Sequence, residues 1–247
     1  MKGGQGINSF CVCVMADLIG SRRMDNLSAL DKLVEELAAL AGHQASYMIP
    51  PVRRAGDELF FVADKALVVP ALRRMHEARK KLPMYIGLGT GWMHDLHGDH
   101  HADRMEGPVI FRAADALREL KEKPDSEVLR RIGRDAIGKP TQFRCNLHVG
   151  EDKSVNHMVT GHLMLLLQMV ERRGTLQCRA VALKRQYPDQ PMRMYAHQLW
   201  AGRKNPPKDA VKSFSKHLMR AEYALVEEMI RTFVEALAYI TPGGDVV

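Results

Sequence analysis

No apolar run in this sequence approaches the roughly 20 residues that span a bilayer. The start, Met1-Lys2-Gly3-Gly4-Gln5-Gly6, lacks the long apolar core of a secretory signal. No membrane partner is expected, and the expected location is cytoplasmic. Cysteine is scarce too, with four in 247 residues. Cys11 and Cys13 lie two apart in an apolar run, where they would share one strand face, while Cys145 and Cys178 stand alone. No pair has zinc-finger spacing, so reduced, buried thiols are expected rather than a disulfide framework. Acidic residues fall short of basic ones, 29 against 36, for a net charge of +7. That balance favours anionic partners and makes a phosphate-containing ligand the first candidate. Internal repeats and low-complexity tracts are also lacking.

What is present is ordinary for a globular chain, with 46% hydrophobic and 26% charged residues. The length suits one large domain or two modest ones. Phe10–Leu18 is a short apolar run with one carboxylate near its end, and reads as a buried strand. Leu27, Leu30, Val34, Leu37 and Ala41 recur at helical spacing, with Asp25 or Asn26 to cap and Gly42 to terminate. Residues 46–63 read as a hairpin turning at Ala55-Gly56-Asp57-Glu58, its first arm distorted or set at an edge by Pro50 and Pro51. A helix is expected over 69–82 and a strand over 84–89. A polar loop follows over 93–107, then a helix opened by Pro108 and running to Lys121. Gln142–Val149 reads as a last strand. Two β-α-β units around a hairpin predict a ferredoxin-like α/β sandwich over 1–150, with an extra edge strand. From 151 to 247 the pattern is helical, over 155–172, 176–186 and 208–240, with a polar, proline-rich stretch at 187–207.

The chemistry concentrates at two acidic points. Asp17 ends the first strand, and Asp57 with Glu58 sits at the hairpin tip beside it. Converging carboxylates repel and are costly to bury without a compensating cation. Mg²⁺ suits such a place, since it takes hard oxygen ligands from one or two carboxylates plus substrate phosphates. A Gly-Asp dipeptide also makes a hairpin with no metal at all.

Ala16-Asp17-Leu18-Ile19-Gly20-Ser21 resembles the first metal motif of class III nucleotidyl cyclases. Ala55-Gly56-Asp57-Glu58-Leu59 resembles their second, and the signature turn of GGDEF diguanylate cyclases. The SatD family is closer still: its pattern is similar to Asp17–Arg22, Gly56–Leu59, Ile86–Gly91, Gly107-Pro108, and Ala113 through Ala116-Leu117 to Lys121. The resemblance covers residues 8–122 and implies a nucleotidyl cyclase-like palm domain. It implies Mg²⁺ (or Mn²⁺) on Asp17 and Asp57, with Glu58 as a further ligand or general base. A nucleoside triphosphate would lie against Leu18, Ile19, Gly20, Ser21 and Arg22, with Lys121 neutralising its phosphates and Arg23 a further candidate. Such domains work as homodimers and make a cyclic or oligonucleotide signal. Phe111 and Asp115 depart from the pattern, standing where class III adenylyl cyclases carry Asn and Arg. Ala55 and Leu59 depart from Gly and Phe of the GGDEF turn, which weakens the case for guanine.

Two further tracts carry alternatives. His94, Asp95, His97, Asp99, His100, His101 and Asp103 form a loop rich in metal-ligand types, though wet loops collect such residues anyway. Thr175-Leu176-Gln177 with Ala180 and Ala182 resembles the first helix of a helix-turn-helix, and Ser213–Leu218 resembles the start of a recognition helix. SatD proteins often carry such a module here, which would make the chain a nucleotide-sensing, DNA-binding transcriptional regulator. The gap between the two pieces far exceeds a normal three- or four-residue turn. A helical bundle for dimerisation remains the other reading of 151–247.

Overall fold

The structure is a computed structural model, and it describes residues 9–20, 27–42, 45–54, 56–79, 81–93, 107–122, 143–203 and 205–241. The chain forms two compact units, one of Met1–Met164 with Val234–Val247 and one of Leu165–Phe233.

The first unit is a mixed α/β structure built on five strands. These are β1 (Ser9–Leu18), β2 (Tyr47–Arg54), β3 (Glu58–Asp64), β4 (Met84–Met93) and β5 (Phe143–His148). Their order across the sheet is β2-β3-β1-β4-β5. β1 is central and antiparallel to both neighbours, and the helical crossover α3 (Pro108–Lys121) makes β4 and β5 parallel. The apolar run of β1 explains its place: Cys11, Val12, Cys13 and Val14 are fully buried, which only a strand covered on both faces requires. Burial pushes the Cys11 and Cys145 thiols up to about 12.

The two faces hold different helices. On one, Cys11, Cys13, Met15, Phe60 and Val62 pack with Val109, Ile110, Ala113 and Leu117 of α3. On the other lie α1 (Leu27–Ala38) and α2 (Lys65–Ala78). There Tyr47 meets the Phe61 ring edge-on at 5.7 Å and donates its hydroxyl to the Leu37 carbonyl at 2.5 Å. α2 starts four residues before the 69–82 expected, because Asp64 Oδ1 caps it by accepting from the Ala66 N–H at 2.7 Å. Pro70 therefore lies inside the helix rather than at its opening. β2 is an outermost strand, as its prolines predict, and its pairing with β3 slips twice between Tyr47 and Val52.

α3 approaches β4 at backbone contact. A Cβ at Gly87 would lie 2.2 Å from the Ala113 carbonyl oxygen, and one at Gly89 would lie 2.2 Å from that of Val109. Only glycine permits this approach. A polar network then ties α3 to β5 and to α4 (Lys153–Glu171). Glu119 Oε2 lies 3.1 Å from His148 Nε2 and accepts from Asn146 Nδ2 at 3.0 Å, while Thr160 donates to Asn146 Oδ1 at 3.1 Å. Asn156 closes the end of β5 by accepting from the Val149 N–H at 2.8 Å and donating to the Gly150 carbonyl at 2.9 Å. Within α4, a Cβ at Gly161 would meet nothing within 4 Å. Gly161→Ala is therefore expected to stabilise the protein by about 0.5–1 kcal/mol through helix propensity, read as a raised denaturation midpoint at unchanged slope.

The second unit is helical. It holds α5 (Thr175–Gln186), α6 (Met192–Trp200) and α7 (Ala210–Arg220), with the end of α4 and the start of α8 (Tyr223–Ile240). Its core is Ala180, Tyr195, Ala196, Leu199 and Phe214, with the Tyr195 and Phe214 rings stacked at 5.3 Å. α6 falls in the polar, proline-rich stretch at 187–207. Its Tyr195, Ala196 and Leu199 supply one apolar face, which the surrounding prolines and charges obscured. The two pieces resembling a helix-turn-helix fall on α5 and α7. They are not consecutive helices, since α6 lies between them in the chain. Among the described residues, no helix is long and apolar enough to cross a membrane.

Candidate functional site

Strand register assembles the site. Asp17 on β1 pairs directly with Glu58 on β3 and with Tyr85 on β4. Glu58 in turn pairs with Arg54, and Tyr85 with Arg144. Cross-strand partners share a sheet face. Arg54, Glu58, Asp17, Tyr85 and Arg144 thus form one row across all five strands, on the face that α3 covers. Two carboxylates stand at its centre and an arginine at each end.

Lys121, the last residue of α3, reaches this row. Its Nζ lies 3.0 Å from Asp17 Oδ2. The glycine-lined approach of α3 to β4 brings the end of the helix to the end of β1. Three of the residues named from sequence, Asp17, Glu58 and Lys121, are therefore together in space.

The electrostatics follow from this arrangement. Glu58 is part-buried, and desolvation is the main cause that raises its carboxyl above the usual range. Arg54 and Lys121 lower it, while Asp17 and Asp57 raise it as like charges. A carboxyl raised in the folded state contributes stability below its ordinary pKa, and that contribution is lost as pH rises through the folded value. Glu58→Gln is accordingly expected to be at least as stable as the parent at pH 7, with its advantage shrinking as pH falls from the raised folded value towards the ordinary glutamate value. Urea midpoints measured at both ends of that range check the sign.

Glu58 begins β3 rather than tipping the turn. The turn is Gly56-Asp57, with Gly56 in the left-handed region at φ +86°. That conformation calls for glycine whether or not a ligand binds. Asp57 adds its charge next to Glu58. Of the expected phosphate cradle, Leu18 is buried at the end of β1 and Gly20 has φ +73°. The Ile19 N–H is committed to the Pro83 carbonyl at 2.8 Å. Ser21, Arg22 and Arg23 lie outside the described residues, as does the His and Asp loop from His94 to Asp103.

Among the described residues, no group of three or more His, Cys, Asp or Glu is gathered closely enough to hold a metal. Asp17, Asp57 and Glu58 are thus not a preformed three-ligand cage. Side-by-side Asp17 and Glu58 do match the donor set that Mg²⁺ uses when phosphates supply its remaining ligands. Lys121 supplies the compensating positive charge on Asp17.

Reading the sequence alone misses Arg54, Tyr85 and Arg144. Arg54 lies 4.9 Å over the Phe60 ring, and Arg144 lies 5.5 Å over the Tyr85 ring. Arg144 Nε is buried with no hydrogen-bond partner among the described residues. Only the strand register brings these residues into the row. Phe111 and Asp115 lie on the outer side of α3: Phe111 is 56% exposed, and Asp115 pairs with Arg118 at 2.6 Å.

No protein-family profile matches the chain, and no curated protein sequence matches it.

Proposed function

We propose that the first unit is a ferredoxin-like palm domain that binds a nucleoside triphosphate and acts as a Mg²⁺-dependent nucleotidyltransferase or cyclase. One observation carries this reading: Asp17 and Glu58 stand opposite each other on adjacent strands, with Lys121 Nζ 3.0 Å from Asp17. A fold gains little stability from placing like charges directly opposite. The arrangement makes sense where a cation and phosphates complete it.

In this mechanism Asp17, Asp57 and Glu58 would hold Mg²⁺, which supplies charge neutralisation of the phosphates and activation of the attacking hydroxyl. Lys121 is the mobile element. Its side chain is 43% exposed at a helix end, which leaves it room to turn from Asp17 to a phosphate oxygen. Arg54 and Arg144 hold positive charge at the two ends of the row. Where Glu58 is not a metal ligand, it would instead be the general base that accepts the proton of a 3′-hydroxyl. The O3′–Pα bond forms, the bond from Pα to the bridging oxygen breaks, and pyrophosphate leaves. The active form is a homodimer in this reading.

The outward Phe111 and Asp115 argue against the ordinary class III cyclase reaction, which uses Asn and Arg there. They favour a second reading, a nucleotide-sensing DNA-binding regulator without turnover. Exposed Lys208, Lys212 and Lys216 recur every four residues before and along α7, a stripe suited to phosphates of DNA. Incubation with all four triphosphates and Mg²⁺ or Mn²⁺, with products read by mass spectrometry, decides between them. An Asp57-dependent product supports the enzyme. Absence of any product, with salt-sensitive DNA binding modulated by nucleotide, supports the regulator.

A further inference from the structure

Within the second unit, two helix joints meet around a cavity of about 100 Å³. One joint links α4 to α5 and contributes Arg172 and Arg173. The other links α7 to α8 and contributes Arg220, Ala221 and Glu222. Arg173 is buried, and its Nε donates to the Ala221 carbonyl at 3.0 Å, which fastens one joint to the other. Gln177 also lines the cavity. Its Oε1 accepts from the Gly174 N–H at 2.6 Å, which turns its donor end away from that bond. Glu222 has φ +50°, the one non-glycine residue in the left-handed region among those described. Such backbone strain concentrates at binding sites.

We infer that this cavity binds a single phosphate group, carried as inorganic phosphate or as a small phosphate monoester. Three arginines and one glutamate line it, leaving a formal excess of two positive charges. A phosphomonoester carries about −1.5 to −2 at neutral pH, whereas a phosphodiester carries only one negative charge. Arginine's planar fork suits phosphate oxygens. The volume holds a phosphoryl group and leaves the rest of any larger ligand outside. This site is independent of Asp17 and Lys121.

The test is calorimetric titration with inorganic phosphate at constant ionic strength, with dimethyl phosphate as the diester arm and a 5′-mononucleotide as the small-monoester arm. The intact protein is expected to bind phosphate saturably and the diester far more weakly. Arg172→Gln and Arg220→Gln, both at exposed positions, are each expected to weaken phosphate binding by roughly tenfold or more. Arg179→Gln, outside the cavity, and Lys121→Ala, at the sheet, are expected to retain it. Circular dichroism verifies that each variant is folded. No saturable binding by the intact protein overturns the proposal, as does unchanged binding in both cavity variants, in which case the arginines serve only the ends of α4 and α7. Equal affinity for the diester overturns the monoester assignment in favour of a nucleic-acid backbone. Mononucleotide binding stronger than phosphate identifies the source as a nucleotide, and equal binding identifies free phosphate.

Discussion

Gly89→Ala is expected to destabilise the protein by about 3 kcal/mol, at the upper end of overpacking costs, and so to lower the thermal midpoint by roughly 6–12 °C. The new Cβ would lie 2.2 Å from the Val109 carbonyl oxygen and 2.5 Å from the Ala113 nitrogen. Both are backbone atoms of α3, so no side-chain rotation relieves the clash and the helix itself has to move. Gly91→Ala serves as the comparison. Its nearest neighbour is the Val109 Cβ at 3.1 Å, which a slight shift accommodates. Scanning calorimetry on both variants checks the ranking. Equal midpoints would mean that α3 is not held at backbone distance from β4. Because α3 also carries Lys121, Gly89→Ala should loosen the Lys121–Asp17 pair as well.

Asp17→Asn is expected to lower kcat/KM for nucleotide turnover by a thousandfold or more, the scale seen when a preorganised charge is removed from a phosphoryl-transfer site. Its effect on folding should be small. Asp17 raises Glu58 as a like charge, so neutralising it relieves repulsion and offsets the loss of the part-exposed Lys121 pair, and the variant should fold with little change in stability. Divalent-metal affinity, followed by calorimetry with a non-hydrolysable triphosphate, gives a readout separate from turnover. A variant that keeps full Mg²⁺–nucleotide affinity would remove Asp17 from the site. Loss of affinity with intact folding would fit the role proposed for it.

Much of the first unit can be read from residue patterns. The apolar run of β1, the Gly56-Asp57 turn and Pro108 at the head of α3 each act locally, through burial, a left-handed glycine and a missing N–H. The site is legible only in part. Asp17, Glu58 and Lys121 stand out as charges at the ends of elements, and the structure brings them together. The pairing of Glu58 with Asp17 depends on register, which local pattern does not encode. Arg54, Tyr85 and Arg144 are hidden for the same reason, since each is unremarkable on its own strand. α6 was obscured by composition: Pro188 and Pro191 dominate its approach, whereas Tyr195 and Leu199 decide its structure by what they bury.

The prolines of β2 bear on how copies of the chain can meet. An outermost strand offers unpaired N–H and C=O groups to any passing strand, which is how sheets of different molecules fuse. Pro50 and Pro51 have no N–H to offer, and the slips in pairing between Tyr47 and Val52 break the straight edge a foreign strand would need. That side of the sheet is closed to cross-β growth. Two copies that associate there have to do so through side chains, leaving the backbone ladder of each molecule its own.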